Sequence, residues 1–161
     1  MENRLIAVRL SAQQLSDPRF DDPRALVRWM GAVQAQDYKA VRWAVGIRLR
    51  TASLRAVDRA LERGEILRTH VMRPTWHLVA AEDIRWMLRL SARRIRSANS
   101  SLARSRGLGI DDGMYSRSNR LIEKMLRGNL CLTKRQIADR FQAAGIAADT
   151  HFMTRYLMRA E

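Results

Sequence analysis

Cysteine occurs once in this sequence and lysine three times, and sixteen acidic residues face thirty basic ones. Each shortage excludes something. A single Cys131 permits no internal disulfide, and its neighbours Leu130 and Leu132 mark it as a buried, inert thiol in a reducing compartment. No apolar run approaches the ~18 residues that span a bilayer. The opening MENRLIAVRL breaks its apolar positions with charge and has no secretory hydrophobic segment. His70, His77 and His151 with one cysteine show no metal-ligand spacing. GLGIDDG lacks the lysine and the strand context of a phosphate-binding loop. The acid pairs Asp21-Asp22 and Asp111-Asp112 adjoin proline or glycine, as turn residues do. No metal and no small-molecule cofactor are expected, and the expected location is the cytoplasm.

What is present is basic charge. With 161 residues, 47% hydrophobic and 29% charged, the chain reads as an ordinary globular protein of one domain or two small ones. Its formal net charge is +14, and 27 of its basic residues are arginines. A high-GC codon bias accounts for arginine over lysine, but not for the excess of base over acid. Arginine's planar fork suits bidentate phosphate contacts, so nucleic acid is the favoured partner. A membrane surface would call for a basic amphipathic helix with an exposed apolar face, and none stands out.

Along the chain, a helix over residues 4–14 ends before Asp17-Pro18. Asp22-Pro23 then reads as an N-cap followed by proline at the first helical position, opening a helix whose apolar face includes Leu26, Val27, Trp29 and Met30. Residues 40–50 read as helical. Ser53 caps LRAVDRALERG, which Gly64 stops. EILRTHVMRPTWHLVA is rich in β-branched and aromatic residues, with a turn at Met72-Arg73-Pro74, and reads as a hairpin. Three helices and a hairpin follow the order of a winged helix.

A long helix starts at Glu82, and seven arginines with no carboxylate lie between Ile84 and Ile110. Arg89, Arg93, Arg94 and Arg96 are phosphate-contact candidates, together with Arg73 in the hairpin turn. The linker residues 107–113 separate an N-terminal winged-helix unit with flanking helices, 1–106, from a second winged-helix unit, 114–161. In the second unit a helix over 116–126 precedes Thr133-Lys134-Arg135-Gln136, a capping box, and the helix it opens ends at Gly145. THFMTRYLMRAE then takes the recognition position of a helix-turn-helix, with His151, Thr154, Arg155 and Arg159 facing outward and Phe152 and Tyr156 in the core. A second wing is expected beyond the last residue, which marks the chain as a fragment of a longer protein. The fold class is mainly α with a short β-hairpin wing, in tandem winged-helix units.

Within GAVQAQDYKAVRW, Gln34 and Gln36 are separated only by Ala35. On a helix, positions two apart diverge by about 200°, whereas on an extended segment they share a side. A chain that leaves its helix here aims two neutral amides in one direction. Satisfying loop backbone groups is the ordinary use of such glutamines.

VQAQD, the following RWAVGIRLR, LRTHVMRPTWHLVAAEDIRWM and LTKRQIADRFQAAGI together resemble the AlkZ/YcaQ family of bacterial winged-helix DNA glycosylases over nearly the whole chain. The resemblance implies excision of alkylated bases or unhooking of crosslinks from double-stranded DNA, at the nucleoid and without a cofactor. It places Gln34 and Gln36 in the catalytic positions of the glutamine-bearing, AlkZ-like branch. Family members resemble three tandem winged helices, and this chain accounts for one and most of a second. The alternative function is a non-enzymatic winged-helix regulator that reads duplex DNA through residues 150–159.

Overall fold

The computed structural model describes residues 2–128 and 130–161, with side chains from Arg4 onward. Among the described residues, eight helices and three strands follow in the order α1 (Glu2–Ala12), α2 (Pro23–Met30), β1 (Ala32–Gln34), α3 (Tyr38–Gly46), α4 (Leu54–Glu62), β2 (Ile66–Val71), β3 (Thr75–Ala80), α5 (Ile84–Ser105), α6 (Asp112–Met125), α7 (Lys134–Ala143) and α8 (Thr150–Ala160). The chain divides into two compact units, one up to Leu90 and one from Ser91 onward. The fold is mainly helical with one small antiparallel sheet, as expected for a winged-helix-like class.

In the first unit, the capping chemistry sets the helix starts. Asp22 accepts from the amides of Arg24 and Ala25 with Pro23 at the first position, and Ser53 accepts from Ala56. Gly31, at φ 76, ends α2 in a conformation that favours glycine and turns the chain directly into β1. Leu26 and Val27 of α2, Val41 and Val45 of α3, Val57 of α4, and Ile66 and Leu78 of the sheet form one core. The sheet order is β1-β3-β2, with Gln34 opposite His77 and Thr69 opposite His77 on the other side. Its second face packs Val71 and Val79 against Met87 of α5.

The hairpin, the Ser53-capped helix and the capping box at Thr133 stand where the sequence places them. Other details differ. Trp29 is 50% exposed rather than core, because α2 buries only Pro23, Leu26 and Val27, and Trp29 lies off that face against Phe20. Cys131 is exposed, not buried; it lies in the irregular segment before α7, where Leu132 turns inward to the core instead. α6 begins at Asp112 rather than 116, since Asp111 is its N-cap and accepts from Met114. α3 ends at Gly46, and the following backbone turns to let the Arg50 amide donate to the Phe20 carbonyl.

The second unit packs α6, α7 and α8 around Phe141, Met153 and Tyr156, with Tyr115 edge-on to Tyr156. Asn99, fully buried on α5, donates to the Arg155 carbonyl at 3.0 Å and the Tyr115 hydroxyl at 3.4 Å. Among the described residues, no helix is long and apolar enough to cross a membrane.

Leu26→Ala should destabilise the protein by about 2–5 kcal/mol in urea denaturation, whereas Leu90→Ala should stay within about 0.5 kcal/mol. Leu26 is fully buried and Leu90 is 76% exposed. A thiol reagent should modify Cys131 in the folded protein; modification only after denaturation would contradict its exposed position.

Candidate active site and nucleic-acid surface

The two glutamines sit where α2 gives way to the sheet. Gln34 is the last residue of β1, paired with His77 of β3. The chain stays extended through Gln36, and Asp37 then caps α3 by accepting from the Ala40 amide at 2.9 Å. Side chains alternate along this stretch: Gln34 and Gln36 are exposed, while Ala35 between them is 0% exposed in the helical core. Burial of Ala35 on one side therefore directs both amides to the other.

The backbone here is held from the hairpin. The Ala35 amide donates to the Trp76 carbonyl at 2.7 Å, extending the β1–β3 ladder by one bond. Arg68 of β2 donates from Nε to the Ala35 carbonyl at 3.0 Å and from Nη2 to the Gln36 carbonyl at 3.3 Å. Its guanidinium lies 4.4 Å from the Trp76 ring centre and 5.6 Å from that of Tyr38. The Gln36 side-chain oxygen accepts a long bond, 3.4 Å, from the Trp76 amide.

Cross-strand pairing puts His77 and Thr69, both buried, in the same row as Gln34. The His77 Nδ1 is 2.9 Å from the Thr75 carbonyl, so it is the protonated nitrogen in the neutral ring and donates that bond. Arg68, Trp76 and this row are site neighbours that motif spacing did not single out; only the hairpin pairing reveals them.

The basic candidates fall in both units. Arg73 is exposed in the three-residue hairpin turn, and Arg89 is exposed on the first half of α5. In the second unit, Arg93, Arg94 and Arg96 are exposed, and Arg93 and Arg94 share an open depression with Ser97 and Ser101. None of these arginines has a carboxylate partner among the described residues. Some other arginines are paired: Arg24 forks onto Glu82 and holds that carboxyl below its usual range, and Arg42 grips Asp58.

α8 differs from the outward recognition helix read from the sequence. His151 is exposed and contacts Arg106. Thr154 is half-buried and returns its hydroxyl to the Thr150 carbonyl at 2.7 Å. Arg159 lies 5.0 Å from the Tyr115 ring centre and 3.4 Å from Asp112. Arg155 is a correction: it is only 8% exposed, because the Asn99 bond to its carbonyl sets that face of α8 against α5. Burial, and secondarily nearby Arg106, pushes its guanidinium below the ordinary value.

Comparison with known proteins adds two findings. A family model described as DNA glycosylase AlkZ-like matches residues 27–161. The structure resembles that of the Streptomyces sahachiroi DNA glycosylase AlkZ at 20% sequence identity and a TM-score of 0.66, covering 93% of this chain and 38% of that one. This chain thus spans well under half the length of that protein. No curated protein sequence matches.

The exposure pattern separates stability from function at the pair. Gln34→Ala should leave the free energy of unfolding within about 0.5 kcal/mol, since the side chain is exposed. Ala35→Leu should lower it by about 1–3 kcal/mol by overfilling the core. Paired denaturation curves check this; equal losses would mean the glutamines serve the fold.

Proposed function

We propose that this chain, which belongs to the AlkZ-like family of DNA glycosylases, supplies the catalytic glutamines and part of the DNA-binding surface of a base-excision repair enzyme. The reaction is hydrolysis of the N-glycosidic bond of a cationic alkylated purine or crosslink in duplex DNA. The observation that carries this reading is the exposed–buried–exposed run Gln34-Ala35-Gln36 on a segment pinned by the hairpin. In this reading the protein is built of tandem winged-helix units.

Glutamine has no proton that titrates near neutral pH, so it is not a general base. Its carbonyl oxygen accepts a hydrogen bond from a water while its amide donates elsewhere. That is sufficient when the leaving group is already good. An N7-alkylguanine or N3-alkyladenine carries a positive charge, and the electrons of the breaking C1′–N bond neutralise it. The sugar passes through an oxocarbenium-like species, which two amide oxygens on one side favour. The water oxygen bonds to C1′ and its proton passes to solvent.

Arg73, Arg89, Arg93, Arg94 and Arg96 are assigned to phosphates, and their lack of carboxylate partners supports this. His151, exposed at the start of α8, is likewise assigned to DNA, with Thr154 and Arg159 beside it on that helix. A regulator reading bases through α8 would need that helix turned outward, whereas Arg155 is buried, Thr154 and Arg159 are held within the unit, and His151 contacts Arg106.

Two experiments test this. Changing Gln34 or Gln36 to Ala should slow release of N7-methylguanine from DNA by about 10²–10³, with little change in DNA affinity. Gln36→Asp should retain more activity than Gln36→Ala. Full-rate excision by a folded double alanine variant would leave only a basic DNA binder. Release should be measured for this chain and for any longer form containing it. Separately, DNA affinity should fall steeply with salt, and reversing Arg93, Arg94 and Arg96 to Glu should weaken binding to all sequences alike. Unchanged binding would remove α5 from the interface.

A further inference from the structure

We propose that Arg68 is the positioning residue of this site: its guanidinium fixes the Ala35–Gln36 backbone so that the two glutamine amides converge. The proposal rests on the catalytic reading of the glutamines. Arg68 lies 33 residues along the chain from Ala35, on the far strand of the sheet from β1. It reaches two successive carbonyls at once, at 3.0 and 3.3 Å. Those carbonyls belong to the residues between and at the amides that must be aimed.

The choice of side chain follows from geometry. A backbone leaving β1 has one further ladder bond, from the Ala35 amide to Trp76, and then no strand neighbour on the side of its carbonyls. Left to water, these carbonyls permit rotation about the bonds that carry Gln36. A lysine is a point charge on a flexible stem and holds one acceptor well. Arginine's planar fork holds two and stacks on flat rings. Here the fork lies within 4.4 Å of the Trp76 ring centre and 5.6 Å of that of Tyr38, so packing limits its orientation. Trp76 serves twice, because its amide also meets the Gln36 side-chain oxygen. Arg68, Trp76 and Tyr38 thus form a support behind the pair rather than a contact to substrate.

The test combines a readout that needs no activity with one that does. In this chain, Arg68→Ala should accelerate hydrogen exchange of the Ala35 amide and mobilise the Gln36 side-chain amide in NMR relaxation. The Leu78 and Val79 amides, deeper in the sheet, should be unchanged. Arg68→Lys, which holds one acceptor, should rescue both effects only in part. In single-turnover base release at saturating DNA, Arg68→Ala should lose about 10–10²-fold in rate with DNA affinity held within twofold. In a Gln36→Ala background the same change should cost little more, since the two act as a unit.

Unchanged Ala35 exchange in a folded Arg68→Ala variant would overturn the proposal. So would a loss found entirely in DNA affinity, which would make Arg68 a phosphate ligand. If the glutamine variants release base at full rate while Ala35 exchange still responds to Arg68, the catalytic reading fails and the clamp is structural only. If the glutamine variants are slow and Arg68→Ala is not, the positioning role alone fails.

Discussion

The pairing of β1 with β3 is the constraint from which the site follows. α2 is stopped by a glycine at positive φ, and three residues of ladder then hold the chain extended before Asp37 opens α3. Within that interval the side-chain period is two, and the core claims alternate positions. Ala35 is the residue that enters the core at the point where the ladder ends, so its neighbours have no choice of side. The helices of the first unit thus decide where the amides point without touching them. A small residue at 35 is the condition: it fills the space that α2, α3 and Leu78 leave, and a larger one would push the segment off the sheet.

The same alternation explains how far the sequence could be read. The two glutamines were legible because their spacing is incompatible with a helix face and compatible with a strand, a purely local argument. The caps at Asp22, Ser53 and Thr133 were legible for the same reason, each being a short-range bond to an amide two or three residues on. Arg68 was not legible, because in a chain with 27 arginines nothing marks one that reaches across a sheet to two carbonyls. Arg155 shows the converse error. Helical spacing alone placed it among outward residues, but Asn99 of α5 anchors its carbonyl and the side chain is enclosed. Cys131 failed through its leucine neighbours: the segment before α7 is irregular, and Leu132 packs on the core while Cys131 and Leu130 are exposed.

Charge is distributed with a division of labour. Some arginines are spent inside the fold, on carboxylates such as Asp58 and Glu82 or on carbonyls, as Arg68 is. Arg89, Arg93, Arg94 and Arg96 on α5 have no carboxylate partner among the described residues, and there like charges repel. Such an array lowers its energy by meeting a polyanion and releasing condensed counterions. In the proposed reading, neutral amides at the reacting centre and cations along the surface suit one ligand: an anionic backbone that delivers a positively charged base.

In the proposed mechanism no titrating group of the protein takes part in bond cleavage. It is tested most directly by the pH dependence of N7-methylguanine release, expressed relative to spontaneous release from the same DNA so that ionisation of the base cancels. With water held by glutamines, this ratio should be flat between about pH 5 and 8, the range in which a histidine would change charge. An inflection in that range that persists when DNA is saturating would contradict the account and point to a general base, with His77, in the row of Gln34, the first residue to change.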